Sequence, residues 1–241
     1  MSELSLLQLV LGNLALAAGA CLQGVAGYGI GTLAAPILFL ISPLFIPGPL
    51  IMGSILLAVL LLLRNRASLG FRQVRFAIGG NVVGTALAIA TLSVIVSEQF
   101  DLIFGGLILT AVALSVAGLR PALNARNSVI AGAASGYMGT ITAVGGPPIA
   151  MIYQNETGPL VRANMSAFFL FASCAAVLGL ILSGHLGWEE VKLCLAMLPG
   201  IVTGFILSGH VVRKLPFAAL RPIILGIAAV AGCAAILRGL L

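Results

Sequence analysis

The most conspicuous shortage in this chain is of charged side chains. Among 241 residues only 7% are charged, whereas soluble domains average roughly 25%. Hydrophobic residues make up 61% and the mean hydropathy is +1.20, which excludes a water-soluble globule. The uncharged runs reach the ~20 residues that a spanning helix needs, and they lack the polar–apolar alternation of barrel strands. The composition therefore predicts an all-α integral membrane protein.

Features of enzymes and metal sites are also missing. The four cysteines, Cys21, Cys174, Cys194 and Cys233, stand singly in apolar runs, without Cys-x-x-Cys spacing or a neighbouring histidine cluster. There is no His-Glu-x-x-His motif, no Gly-x-x-x-x-Gly-Lys loop and no Ser/His/Asp set inside a predicted span. We therefore expect no cofactor, no bound metal and no enzymatic activity.

The basic residues outnumber the acidic ones by twelve to six, but they occupy short connections rather than one soluble face. This distribution argues against nucleic acid binding and for membrane topology. The positive-inside rule places three loops, 64–75, 120–126 and 213–221, together with Arg162, on the cytoplasmic side of the membrane. Both termini are expected outside, as are the acidic residues Glu3, Glu98, Asp101, Glu189 and Glu190.

The positions of the charged connections predict six full spans and two hairpins. The spans are expected at 47–64, 76–97, 101–119, 163–184, 189–212 and 219–238. The segments 4–45 and 127–160 must each begin and end on one side of the membrane, so each is predicted to be a helical hairpin.

An internal repeat organises these elements. Five residues recur with a constant offset of 112, namely Gly24, Gly27, Pro36, Pro47 and Ser54 as Gly136, Gly139, Pro148, Pro159 and Ser166. An odd number of crossings separates the copies, so the second is expected to be inverted, as in many secondary transporters. We predict two inverted repeats, 1–119 and 120–241, each a hairpin of broken or re-entrant helices followed by three transmembrane helices.

The hairpin tips, 24–32 and 139–148, are rich in glycine or proline and carry no charge. We expect both to remain within the membrane and to meet near its midplane, because irregular backbone at that depth must line a cavity or be covered by protein. The alternative is helix packing through small residues. We adopt packing for Gly80 with Gly84, Gly132 with Gly136 and Gly200 with Gly204, and a broken helix for Gly27 to Gly31 and Gly145 to Pro148.

No fixed charge is predicted at the midplane, so a ligand there must be held by neutral donors and by the N-termini of half-helices, which favours a small oxyanion. Candidate polar groups are Gln23, Tyr28, Thr32, Asn81, Thr140, Thr142, Tyr153 and Asn155. Each could instead bond its own helix or tie two helices together. Glu156 and Arg162 bracket Gly158-Pro159 and could form an inner gate or cap a turn.

The whole chain resembles the sulfite exporter TauE/SafE family of membrane permeases. The resemblance rests on the glycine-rich segment Gly24 to Pro36, on Gly136-Tyr-Met-Gly139 leading to Gly145-Gly-Pro-Pro148, and on the basic connection Arg64 to Arg75. It implies transport of sulfite or organosulfonates across the bacterial inner (plasma) membrane. The substrate contacts that it implies are Gly27, Gly29, Gly31, Thr32, Thr140, Gly145, Gly146, Pro147 and Pro148. The first motif departs from a run of consecutive glycines, because Tyr28 and Ile30 interrupt it.

The inverted hairpins together with the family resemblance lead to a secondary active transporter of a sulfur-containing anion that works by alternating access. Analogy with other such carriers implies that proton motive force drives it. The alternatives are an anion channel, a carrier of a non-sulfur organic anion and, with little support, a membrane enzyme or structural subunit. Expected partners are the small anionic substrate and the lipid bilayer, and a homodimer is allowed.

Overall fold

The computed structural model describes residues 4–95, 97–156, 158–211 and 217–240. Glu3 and residues 213–216 of the third predicted cytoplasmic loop lie outside these ranges. The described residues form ten α-helices: α1 Leu6–Ala26, α2 Gly31–Ile41, α3 Gly48–Asn65, α4 Phe71–Leu92, α5 Ser97–Val116, α6 Ala125–Thr142, α7 Gly146–Ile152, α8 Pro159–Leu182, α9 Trp188–Val211 and α10 Phe217–Leu240. Short 3₁₀ turns follow α2 and α3.

The prediction of an all-α membrane protein is confirmed. Seven helices in the described ranges are long and apolar enough to span a membrane. Six of them, α3, α4, α5, α8, α9 and α10, correspond to the predicted spans. The seventh is α1, whose 21 residues extend about 31 Å at 1.5 Å per residue. The first hairpin therefore pairs a helix of full spanning length with the 11-residue helix α2.

Local sequence explains where the hairpin helices begin and end. Ser5 and Gln8 form a capping box at the start of α1, and the Asn124 side chain accepts from the Asn127 N–H at the start of α6. Each of these helices ends in a left-handed residue, Gly27 with φ 80° and Ala143 with φ 61°. This backbone is strained for alanine, because its Cβ approaches the following carbonyl.

The helix ends refine the predicted repeat. Pro47 and Pro159 both lie at helix starts, before α3 and in the first turn of α8, as the offset of 112 requires. At the tips, however, the matching left-handed residues Gly27 and Ala143 are 116 positions apart. The offset of 112 therefore does not align the two hairpin tips, and Gly139 lies inside α6 rather than at its end.

The large helix contacts between the two halves of the chain have equivalent contacts in which the halves are interchanged. The contact of α1 with α9 has its counterpart in α6 with α4, and that of α3 with α9 in α8 with α4. The remaining large interfaces join equivalent helices, α3 with α8 and α5 with α10. This pattern supports a pseudo-twofold arrangement of the halves.

Glycines allow the backbones to approach closely at the two largest of these interfaces, α4 with α6 and α1 with α9. A side chain on Gly80 or Gly84 would strike the carbonyls of Val129 and Ala133, and one on Gly200 or Gly204 would strike those of Asn13 and Ala17. Gly132 and Gly136 meet α4 carbonyls in the same way. The packing interpretation of these three glycine pairs is confirmed.

The helices fall into two groups. A six-helix group contains α1, α3, α4, α6, α8 and α9, and a four-helix group contains α2, α5, α7 and α10. Most large interfaces lie within a group, whereas the two hairpins, α1 with α2 and α6 with α7, join one group to the other. The hairpin loops therefore lie at the boundary between the groups.

Candidate functional site

The two hairpin loops are in direct contact. Loop 27–30 joins α1 to α2, and loop 143–145 joins α6 to α7. A side chain on Gly31 would collide with the Ala143 carbonyl, and one on Gly146 would collide with the Tyr28 carbonyl and lie 2.6 Å from the Thr32 hydroxyl. The contact leaves no room for a side chain at either glycine.

A small cavity, which we call the central cavity, lies beside this contact. Its volume is about 50 Å³, room for roughly three or four water molecules. Asn81 lies at the middle of α4, and Phe169 and Ser173 lie near the middle of α8. The lining residues are Gln23, Gly29, Ile30, Gly31, Thr32, Leu50, Ile51, Ser54, Asn81, Ser135, Gly136, Gly139, Thr140, Ala143, Gly145, Gly146, Phe169, Ala172, Ser173 and Ala176.

Two amide side chains in this cavity carry buried atoms that lack hydrogen-bond partners among the described residues. Asn81 is fully buried and Gln23 is 3% exposed. Neither the oxygen nor the nitrogen of the Asn81 amide has a partner, and the Gln23 Oε1 atom also has none, among the described residues. A buried polar group left unpaired costs about 1–3 kcal/mol. Such a cost, concentrated at one cavity, marks these amides as candidates for ligand binding.

The hydroxyl groups of the cavity are paired within the protein. Ser54 and Ser173 lie 2.7 Å apart, and Ser54 also bonds the Ile51 carbonyl. Ser135 donates to the Gly145 carbonyl and so ties α6 to the second loop. Thr140 makes only a long contact of 3.4 Å to the Thr85 hydroxyl. Of these hydroxyls, that of Thr140 is the least committed to the fold.

The cavity lining contains no titratable side chain within the described ranges. Arg64, near the end of α3, places a positive charge next to the cavity lining, because it bonds the residue after Gln23. Its guanidinium donates to the Gly24 carbonyl at 3.0 Å and to the Ser208 hydroxyl at 2.9 Å, and it lies over the Phe205 ring. Arg64 thus joins α3 to α1 and α9 one residue from Gln23.

Eight of the predicted site residues line the central cavity. They are Gln23, Gly29, Gly31, Thr32, Asn81, Thr140, Gly145 and Gly146. They come from both hairpins and from α4, as the meeting of the two tips requires.

The other predicted site residues lie elsewhere. Gly27 ends α1 and faces Met165, while Asn155 is exposed. The Thr142 hydroxyl donates to the Met138 carbonyl and accepts from the Val144 N–H, so it is committed to ending α6. Pro148 is buried inside α7. Together with Pro147 it removes two N–H groups from the first turn of this seven-residue helix, so the second tip has fewer backbone donors than expected.

Two larger cavities lie on the side that carries Arg120 and Arg162. One, of about 410 Å³, is lined by Tyr28, Thr32, Pro147 and Arg120 among others. The second, of about 270 Å³, includes Tyr28, Tyr153, Glu156 and Arg162 in its lining. We call these the basic-side cavities. Within the described chain Glu156 and Arg162 form no salt bridge.

Sequence reasoning missed several residues of the central cavity. Ser54, Ser135, Ser173 and Phe169 all line it. Ser54 belongs to the repeat, which was a usable signal, but serine within a span more often bonds its own helix. Nothing in the local sequence distinguishes Ser173 from such a residue.

Comparison with known proteins agrees with the architecture. The sequence model of the family described as sulfite exporter TauE/SafE matches residues 11–235. No individual curated protein and no solved structure matches the chain significantly. The match begins within α1 and ends within α10, and both hairpin loops fall inside it. On this evidence the chain is a multi-pass membrane protein that belongs to the sulfite exporter TauE/SafE family of transporters.

Proposed function

We propose that this protein is a secondary active transporter that carries a sulfite-type anion by alternating access, with the central cavity as its binding site. The observation that carries the proposal is the set of buried amide atoms without partners among the described residues, both polar atoms of Asn81 and the Oε1 atom of Gln23, beside two broken hairpins. A buried amide without a partner is costly unless a ligand or water satisfies it during the transport cycle.

The surroundings of the cavity favour a small anion. Helix α2 begins at Gly31 in the cavity wall, and the positive end of a helix dipole attracts negative charge. Arg64 adds positive potential near Gln23 without lining the cavity. A volume of about 50 Å³ suits an oxyanion with four heavy atoms. We infer that sulfite, rather than an arylsulfonate, is the preferred class of substrate in this state.

The division into two helix groups suggests how access alternates. The cavity lies where loops 27–30 and 143–145 join the six-helix group to the four-helix group. Movement of one group against the other would open the cavity to one side at a time, as in carriers built from inverted repeats. In the present state the larger cavities lie on the basic side, which the positive-inside rule assigns to the cytoplasm.

The contact between the loops is the better candidate for the inner barrier than Glu156 and Arg162. Thr32 lines both the central cavity and the larger basic-side cavity. Gly146 packs against Tyr28 and Thr32 between these two spaces. Glu156 and Arg162 line a basic-side cavity and do not line the central one.

Proteoliposomes that contain the purified protein test this proposal. We expect uptake of ³⁵S-sulfite above that of empty vesicles, with saturation at high substrate and inhibition by unlabelled sulfite. Sulfite uptake that does not saturate, together with single-channel conductance, would instead support the anion channel. Preferential uptake of carboxylates would support the carrier of a non-sulfur anion, and absence of any anion flux would refute the proposal.

A further inference from the structure

The central cavity has hydrogen-bonding capacity but no countercharge, and this combination constrains the protonation state of its ligand. The inference rests on the proposed function. It concerns which form of the sulfite-type anion enters the cavity and how a proton accompanies it.

The first constraint is charge. No Asp, Glu, His, Lys or Arg is found among the described residues that line the cavity. Titratable residues with described side chains also lie on the elements around the cavity without lining it. They are Cys21, Tyr28, Arg64, Arg75, Arg126, Tyr137, Arg162 and Cys174. The cost of moving an ion out of water grows with the square of its charge, so a dianion pays about four times the penalty of a monoanion. With no cation in the wall, a singly charged ligand is strongly favoured over a doubly charged one.

The second constraint is the presence of unpaired acceptors. The Asn81 Oδ1 and Gln23 Oε1 atoms both lack donors. Each primary amide offers one acceptor and two donors, whichever way the group is turned. A fully deprotonated oxyanion has only acceptors, so it would pair with the Asn81 amide nitrogen and leave the oxygens of both amides unpaired. An anion that retains one O–H group can donate to an amide oxygen and accept from an amide nitrogen.

The third constraint concerns the proton. Proton-coupled carriers ordinarily use a carboxylate or histidine within the membrane. The described part of the chain places no such group at the cavity, and Ser54, Ser173 and Thr140 do not titrate near neutral pH. A proton that crosses with the anion can therefore be carried by the anion itself.

We propose that the transported species is a singly charged oxyanion that bears one O–H group, the hydrogen sulfite form of sulfite, and that this O–H carries the coupled proton. The Gln23 and Asn81 amides bind the protonated form selectively, because they pair with both its donor and its acceptors. On the far side the O–H bond breaks, the proton passes to water or buffer, and the dianion remains. One proton thus moves with each anion and no protein side chain changes its protonation.

Proteoliposomes with a pH-sensitive dye inside test this inference. The pH outside is varied on both sides of the point at which hydrogen sulfite loses its proton, with total ³⁵S-sulfite held below saturation. The vesicles start with an alkaline interior in weak buffer of known capacity, so that released protons change the dye signal. We expect the initial rate to follow the concentration of hydrogen sulfite and to fall about tenfold per pH unit on the alkaline side. The dye should report one proton released inside for each sulfite taken up.

Methanesulfonate serves as the matched probe, since it is a monoanion of similar shape without an ionisable O–H group. We expect it to inhibit sulfite uptake at least tenfold more weakly than hydrogen sulfite does. Empty vesicles provide the baseline for leakage of the neutral acid.

The outcomes separate the inference from the proposed function. Saturable uptake that follows the dianion, uptake without internal acidification, or equal inhibition by methanesulfonate would overturn the inference and leave the sulfite transporter standing. Absence of sulfite uptake at every pH would overturn the transporter proposal, and the inference with it.

Discussion

The carbonyl oxygen of Ala143, at the end of α6, occupies the space that a side chain on Gly31 would need at the start of α2. This contact joins the two halves of the chain at the point where both hairpins break. It makes Gly31 a requirement of backbone packing rather than of flexibility, because Gly31 itself lies within the regular helix α2.

The variant Gly31→Ala should therefore lose function. Its Cβ would force the loop 143–145 away from α2 and open the wall of the central cavity, so we expect at least a tenfold loss of sulfite uptake. The matched control is Gly106→Ala in α5, where a Cβ would meet no atom within 4 Å. Uptake and elution in size-exclusion chromatography are measured for both variants. Normal uptake by a folded Gly31→Ala protein would contradict this role.

The variant Asn81→Leu should separate stability from function. Leucine has a similar size and removes two unpaired polar atoms, so the free energy of unfolding should stay constant or rise by up to about 1–3 kcal/mol. Sulfite uptake should fall at least tenfold, because the ligand loses its amide partner. Thermal stability in detergent and uptake in proteoliposomes measure the two effects.

Asn13→Leu provides the comparison for Asn81. The Asn13 amide donates to the Leu9 and Ala196 carbonyls and accepts from the Gly200 N–H. Its loss leaves buried groups at the interface of α1 and α9 unpaired and should lower stability by about 1–3 kcal/mol. If Asn81→Leu proved as destabilising as Asn13→Leu, the Asn81 amide would have a structural partner and the binding argument would fail.

Substitution of the two threonines near the end of α6 should affect different properties, stability for Thr142 and substrate affinity for Thr140. Thr142→Val removes a hydroxyl that bonds Met138 and Val144, so we expect a lower melting temperature. Thr140→Val removes a hydroxyl that faces the cavity and makes only a long contact, so we expect a several-fold higher KM for sulfite with little change in stability. Melting temperatures and uptake kinetics of the two isosteric variants decide the matter, and a reversed pattern would exchange their roles.

The positions of the long helices follow well from the sequence, because length and hydropathy determine them. The scarcity of charge locates α3, α4, α5, α8, α9 and α10 within a few residues. The uncharged, glycine-rich tips locate the loops that meet. The sequence could not show which residues of the two hairpin tips correspond. The left-handed residue that ends α1 is Gly27, whereas the one that ends α6 is Ala143, and an alanine gives no sign of this backbone in the sequence.

Some residues of the candidate site could be recognised in the sequence and others could not, for similar reasons. The presence of Asn81 and Gln23 in the cavity wall could be anticipated, because an amide within an apolar span needs a partner. Thr142 was misleading as a candidate, since its hydroxyl caps its own helix. Ser173 was missed because only the crossing of α3 and α8 brings it to Ser54. Contacts between distant helices leave little trace in the local pattern.

The most direct test of the central claim is where an oxyanion binds. Crystals of the protein soaked with selenite, whose selenium scatters anomalously, would locate the anion independently of any transport assay. The account predicts an anomalous peak between the two hairpin loops, within hydrogen-bond distance of the Asn81 amide. A peak found instead only in the basic-side cavity near Glu156 and Arg162, with the central cavity holding no anion at saturating selenite, would contradict it.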